Sequence, residues 1–247
     1  ATKAPDGWFS RFLPSLETPT SKGARLMHLD PPVLVVDDFM PEEECDRLID
    51  LALSGTAYEV ESATFSALTA SARTSTTWYT HHTEVPELVG RVCALTGVEP
   101  STLEEPQIVR YRVGQRFGWH FDEVPKAQLD NGGQRLATLL VYLCDVPAGG
   151  GTAFRDLEAP GQPELAVQPR KGRALLFFPA AADGTPDERT LHAGEPVLQG
   201  EKWIAQLWLH ERAYEPRLPP DAQPDAAAAA LRAYAKARAD LATAGGA

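Results

Sequence analysis

A chain of 247 residues that is 43% hydrophobic can bury one sizeable core, and β-rich folds of this length often form a single domain. The formal net charge of −11 repels phosphate backbones and anionic lipid, and no run of about 18 apolar residues offers a membrane span. Neither nucleic acid nor a membrane is therefore expected as a partner.

Residues 1–30 mix Pro, Gly, Ser and charges, and read as an irregular arm with a short helix around Trp8–Leu13. PPVLVVDDF predicts a buried strand at Val33–Val36. PEEECDRLIDLAL has Pro41 at a first-turn position, acids early, and Cys45, Leu48, Ile49 and Ala52 at helical spacing. The Ser/Thr/Ala-rich stretch 54–80 ends in RTSTTWY, which suggests strand edges around a mobile loop. VPELVGRVCALTG carries Leu88, Val89, Val92, Cys93 and Leu95 on a helical pattern that Gly97 ends.

From Pro106 onward short strands alternate with Gly/Pro turns: QIVRYRV, RLATLLVYL, ELAVQP, RALLFFP and KWIAQLWLH. That texture predicts an antiparallel sandwich or barrel such as a jelly roll. DAAAAALRAYAKARADLATA has high helix propensity, and either docks or frays. The expected division is an arm over 1–30, one catalytic domain over 31–213 and an Ala-rich tail over 214–247, predicted helical.

Cys45, Cys93 and Cys144 are widely spaced without a CxxC, which fits reduced thiols and disfavours a cysteine-built zinc site. Reduced thiols favour a cytoplasmic location. The chain begins at Ala1 without a signal-like apolar core, so a secretory lumen stays open if a signal was removed. Oligomeric state is not legible.

His120-Phe121-Asp122 is an HxD, and side chains at i and i+2 of a strand project to one face. His192, in RTLHAGEPV, supplies a third ligand from far along the chain. Two histidines and one carboxylate leave three positions on Fe(II) open, enough for a bidentate organic acid and O2. Three unrelated polar residues near turns would look the same until Lys202 is added. Lys202 heads KWIAQLWLH, and on an inward face its ammonium requires an anion such as a dicarboxylic cosubstrate. Lys202 is thus grouped with the catalytic set His120, Asp122 and His192.

These pieces resemble the catalytic domain of prolyl 4-hydroxylases over residues 33–212. The matching segments are DDFMPEEECDRLI, ARTSTTWY, RYRVGQRFGWHFD, GGQRLATLLVYLCDVPAGGGTAF, KGRALLFF and LHAGEPVLQGEKWIAQLWLH. The resemblance implies a β-rich α+β fold, a double-stranded β-helix (jelly roll) with supporting helices in its N-terminal third. It implies that His120, Asp122 and His192 hold Fe(II), and that Lys202 pairs with the far carboxylate of 2-oxoglutarate. By the same resemblance Tyr111, Thr152 and Trp208 line the cosubstrate site, while Arg135 and His210 touch a peptide substrate. Tyr111 and Trp208 as plain core aromatics, and Arg135 as a surface ion-pair residue, are the structural alternatives.

The implied reaction uses 2-oxoglutarate and O2, with ascorbate as reductant, to hydroxylate an unactivated C–H bond and release succinate and CO2. Peptidyl proline, at C4, is the expected target; a free amino acid or other small molecule is the alternative. A non-catalytic jelly-roll binding module and a zinc hydrolase are remoter readings. Many family members have an aromatic hydroxyl where this chain has Phe117 and a proline where it has Trp119, which puts substrate identity in doubt. Arg73 and Trp78 are expected on the substrate side of a lid. Gly149-Gly150-Gly151-Thr152 reads as a tight turn rather than a phosphate loop, and His81-His82 as exposed loop histidines.

Overall fold

The computed structural model describes residues 24–54, 58–61, 74–159, 161, 163–181 and 183–216. The expected Trp8–Leu13 helix, Arg73 and most of the Ala-rich tail lie outside those residues.

The chain enters as a hairpin of β1 (Ala24–Leu29) and β2 (Pro32–Val36), so a strand occupies the end of the stretch read as an irregular arm. Helix α1 (Glu42–Leu53) follows, with Pro41 one position earlier than expected, at the N-cap. Glu42, Glu43 and Glu44 sit against the positive end of its dipole. After β3 (Tyr58–Glu61) and β4 (Thr76–Tyr79) comes α2 (Pro86–Thr96). It begins on Pro86 and ends at Gly97, whose φ of 72° suits a left-handed cap. Arg91 ties the helices together, donating to Glu44 through Nε at 2.9 Å and Nη2 at 2.8 Å.

The remaining strands are β5 (Gln107–Tyr111), β6 (Phe117–His120), β7 (Arg135–Tyr142), β8 (Ala148–Gly149), β9 (Thr152–Phe154), β10 (Leu165–Val167), β11 (Ala174–Phe177), β12 (His192–Gly194), β13 (Val197–Gln199) and β14 (Lys202–His210). A large sheet runs β1-β2-β11-β7-β14-β5-β4-β3, and a smaller one runs β10-β9-β12-β6. All pairs are antiparallel, and together the sheets form the expected double-stranded β-helix.

Strand pleating sends alternate residues into two cores. On one side of the large sheet Leu34, Val36, Leu139, Val141, Trp203, Ala205 and Leu207 pack with helix residues Leu48, Leu88, Val89 and Val92. On the other, Val33, Val35, Val109, Tyr111, Leu140, Tyr142 and Ile204 meet Phe154, Leu165 and Val167 of the small sheet. Central β14 is buried at all nine positions because it has a core on each face, which is why its sequence reads as a near-continuous apolar run. Each large side chain so buried stabilises the fold by about 1.5–3 kcal/mol. Cys45 and Cys93 belong to the helix-side core, where burial pushes their thiols up to about 11 and about 12, chemically inert at neutral pH.

Candidate metal centre and its surroundings

Cross-strand register assembles the site. His120, the last residue of β6, is directly opposite His192, the first of β12, and Asp122 follows two residues after His120. Ligand atoms of the three lie within 4.8 Å of one another, the only such His/Cys/Asp/Glu group among the described residues. His120 Nε2 is 3.5 Å from Asp122 Oδ1, and His192 Nε2 is 3.7 Å from Oδ2.

Neighbouring backbone fixes which ring nitrogen faces the centre. His120 Nδ1 lies 2.8 Å from the Gly118 carbonyl and His192 Nδ1 lies 3.0 Å from the Thr190 carbonyl. A carbonyl only accepts, so both Nδ1 atoms carry the proton and both Nε2 lone pairs are left for a metal. Thr138 donates its hydroxyl to Asp122 Oδ2 at 2.8 Å. Burial alone would raise the Asp122 pKa, but His192, His120 and Arg135 outweigh it and hold the carboxyl down to about 2. The Trp208 indole N–H adds to that pull without closing to full hydrogen-bond geometry. The donor set, two imidazoles with Nε2 turned inward and one carboxylate on a single face, suits Fe(II) with open positions.

Lys202 opens β14 opposite Tyr111 on β5. It is 3% exposed, and among the described residues no carboxylate comes within ion-pair distance of its ammonium, Glu195 acting on it only from farther off. Instead Nζ sits over the rings of Tyr111 at 5.5 Å and Tyr142 at 5.6 Å. Burial lowers its pKa to about 8, with Glu195 and Cys144 opposing that fall. A buried cation lacking an anion is costly, and a carboxylate from a ligand would relieve it. Thr152 faces the same region and accepts from Tyr142 Oη at 2.9 Å. These residues fit a dicarboxylate that runs from Lys202 to the metal.

Trp208, Arg135 and His210 form a second layer behind Asp122. The Arg135 guanidinium stacks on the Trp208 ring at 3.8 Å and donates to Glu104 through Nε at 2.9 Å and Nη2 at 2.8 Å. Its Nη1 reaches the Asp122 carbonyl at 3.2 Å, and His210 Nε2 meets Glu104 at 2.9 Å. Arg135 is thus in an ion pair, as the structural alternative had it, but a largely buried one with Glu104 that clamps the metal loop to β14. Burial pushes the Glu104 carboxyl upward, yet His210 and Arg135 together hold it below the usual carboxylate range. Gly132, with φ of 78°, passes so close to His210 that a Cβ there would come within 2.6 Å of Nδ1.

Trp78 is the expected site residue that the structure moves elsewhere. It is 3% exposed, belongs to the helix-side core and stacks on Trp203 with centroids 5.4 Å apart. The reason is pleating: Thr77, paired with Val109, takes the interior face of β4 and Trp78 takes the opposite one. His81 and His82 are partly buried rather than exposed, and His82 Nε2 is held 3.1 Å from the Glu104 carbonyl. Phe117 stacks on the His120 ring with centroids 3.5 Å apart, while Trp119 and Phe121 are 47% and 40% exposed. Gly149 and Gly150, with φ of 74° and 72°, make the expected turn between β8 and β9.

Glu104 and Thr138 were not legible as site residues. Glu104 lies in a plain Glu-Glu-Pro segment and Thr138 in an apolar strand; only the three-dimensional pairing brings either to Asp122.

A jelly roll that presents two histidines, one carboxylate and a buried lysine defines a 2-oxoglutarate-dependent iron oxygenase. Residues 106–210 match the 2OG-Fe(II) oxygenase superfamily. The chain is 34% identical over 206 residues to probable prolyl 4-hydroxylase 4 of Arabidopsis thaliana, covering 75% of this chain and 69% of that protein. It is 35% identical over 209 residues to the rat (Rattus norvegicus) prolyl 4-hydroxylase subunit alpha-3, covering 81% of this chain but 37% of that subunit. Among solved structures, the viral collagen prolyl hydroxylase of Paramecium Bursaria Chlorella virus-1, in its 2OG complex, superposes with a TM-score of 0.54 at 27% identity. That likeness covers 71% of this chain and 94% of the viral one. The chain belongs to the prolyl 4-hydroxylase family of 2-oxoglutarate- and Fe(II)-dependent dioxygenases.

Proposed function

We propose that this chain hydroxylates prolyl residues within a peptide or protein, at C4, consuming 2-oxoglutarate and O2 and releasing succinate and CO2. The observation that carries the reading is the buried, anion-lacking ammonium of Lys202 inside the same barrel as the His120–Asp122–His192 cluster. The similarity to prolyl 4-hydroxylases supports the prolyl substrate.

Bound iron with its cosubstrate supplies the oxidising power that breaks an unactivated C–H bond. The chain's own residues do the rest. His120, Asp122 and His192 would hold the metal on one face, with both imidazoles locked by carbonyls and the carboxylate by Thr138. Lys202 would neutralise the far carboxylate, with Tyr111 and the Thr152–Tyr142 pair beside it. Val109, Ile204, Phe154 and Phe177 make the walls apolar and keep bulk water away from the reacting centre. Arg135 would set the position of the Asp122 main chain.

The test is succinate formation by purified protein with Fe(II), ascorbate and 2-oxoglutarate, with and without proline-rich peptides and free amino acids. Peptide-stimulated succinate together with a one-oxygen mass gain on proline is expected. Phe117, an apolar ring flat against His120, is the feature that favours a different acceptor, and stimulation by free amino acids alone would establish it. Absence of iron-dependent turnover with any acceptor would refute both.

A further inference from the structure

The interior face of the large sheet is laid out in rows by the register of β14. Lys202 pairs with Tyr111; Ile204 lies between Val109 and Tyr142; Gln206 lies between Gln107 and Leu140; Trp208 pairs with Thr138. The first row ends in the ammonium, and the last holds the two side chains that touch Asp122. Rows two residues apart are separated by about 7 Å, so a ligand running from Lys202 to the metal passes the row of Gln206.

That row is apolar through Leu140, Leu175 and Val35, and turns polar at Gln206, Gln107 and, beyond them on β4, Tyr79. There Gln206 Nε2 donates to Gln107 Oε1 at 3.0 Å, with the two residues 8% and 3% exposed. Primary amides offer two donors and an acceptor each, so one mutual bond leaves most of their capacity unused. No other hydrogen bond is made by either side chain among the described residues, yet neither counts among the sealed, unsatisfied polar atoms such as Trp208 Nε1. The two unbonded atoms, Gln107 Nε2 and Gln206 Oε1, are therefore not sealed in and can be reached from the barrel interior. Two buried amides at the end of an apolar stretch need a polar guest, because an unmet buried donor costs free energy that Leu or Val at the same place would not.

We propose that the Gln107–Gln206 amide pair is a second anchor for 2-oxoglutarate, donating to its oxo-carboxylate end while Lys202 holds the other carboxylate. The mutual bond engages Gln206 Nε2 and Gln107 Oε1, so it orients Gln107 and leaves the Nε2 donors of Gln107 free to face the ligand. The pair thus reads the feature that separates the cosubstrate from its own product, which keeps the far carboxylate but has lost the oxo-acid end. This inference rests on the function proposed above.

The experiment is calorimetric titration of Mn(II)-loaded protein with 2-oxoglutarate and, separately, with succinate, alongside thermal melting. Gln206→Leu and Gln107→Leu should each weaken 2-oxoglutarate roughly tenfold, about 1.4 kcal/mol, and leave succinate unchanged. Gln206→Glu keeps the shape and sets a like charge against the ligand, so it should weaken 2-oxoglutarate further. Equal weakening of both ligands would make the pair merely structural and overturn the proposal. Unchanged 2-oxoglutarate affinity with a raised peptide KM would also overturn it, assigning the amides to the substrate. Failure of the unmutated protein to bind 2-oxoglutarate would sink the functional reading itself, whereas variants that match the parent would sink only this inference.

Discussion

Raising the pH should loosen 2-oxoglutarate before it disturbs the metal ligands, because Lys202 gives up its proton early. Burial lowers this ammonium from 10.5 to about 8, with Glu195 and Cys144 pulling the other way. A dicarboxylate docked on Lys202 needs the charged form. Its Kd should therefore be flat below about pH 8 and rise about tenfold for each further pH unit, about 1.4 kcal/mol per unit. Lys202→Met keeps the bulk and removes the charge. It should raise Kd at least about thirtyfold at neutral pH, the low end for losing one partner of a buried charge pair at about 2–5 kcal/mol. It should also abolish the slope.

The same proton governs stability. Between the folded value near 8 and the ordinary 10.5 the unfolded chain binds more protons than the folded one, so stability of the unliganded protein rises with pH there. The full rise from this one group is about 3 kcal/mol, and Lys202→Met should flatten it. Calorimetry of the Mn(II)-loaded protein from about pH 7 to about pH 9.5, in two buffers of different ionisation enthalpy, reads both affinity and proton uptake. Uptake near half a proton per ligand is expected at about pH 8. A flat Kd in the unmutated protein, or the same slope in Lys202→Met, would refute the reasoning.

Thr138→Val removes the hydroxyl that orients Asp122 and should lower Fe(II) affinity about tenfold, read by metal titration; Asp122→Ala should abolish binding in the same assay. Glu104→Gln withdraws the charge that holds Arg135 and His210, and should destabilise the fold by about 3 kcal/mol. Because the Glu104 pKa is lowered, that stabilisation is present above the ordinary carboxylate range and lost as pH falls through the folded value. The gap between parent and variant in urea melts should therefore close in acid. Trp78→Ala should cost about 3–5 kcal/mol through loss of its stack on Trp203, while KM for peptide and for 2-oxoglutarate stays unchanged; a selective rise in peptide KM would return Trp78 to the substrate side.

What could be read from sequence divides along a physical line. His120 and Asp122 were legible because strand geometry is local: two residues apart means one face, whatever the rest of the chain does. Lys202 was legible for a related reason, since a charged residue heading a strand as apolar as KWIAQLWLH has to be either outside or paired. Trp78 failed on the same local rule, because TTWY gives no sign of which alternate set faces the barrel; that is fixed by register with β5, where Trp78 meets Ile108 and Thr77 meets Val109. A one-residue slip would exchange them. Strand β1 was missed because its residues are half-exposed on a sheet edge and carry little periodicity.

Glu104, Thr138, Gln107 and Gln206 share a deeper obscurity. Each is a polar residue in or beside an apolar strand, and each acquires meaning only from a cross-strand partner contributed by a distant segment. Asp122, for its part, accepts a hydroxyl from β7, leans on an indole from β14 and has its carbonyl gripped by Arg135, whose own charge is balanced by Glu104. The motif names the atom that meets the metal; the sheet register decides how rigidly that atom is held. Substitutions in this outer layer should therefore act mainly on metal affinity and stability, while those in the rows from Lys202 to Gln206 should act on the cosubstrate, because the two groups occupy different parts of one sheet.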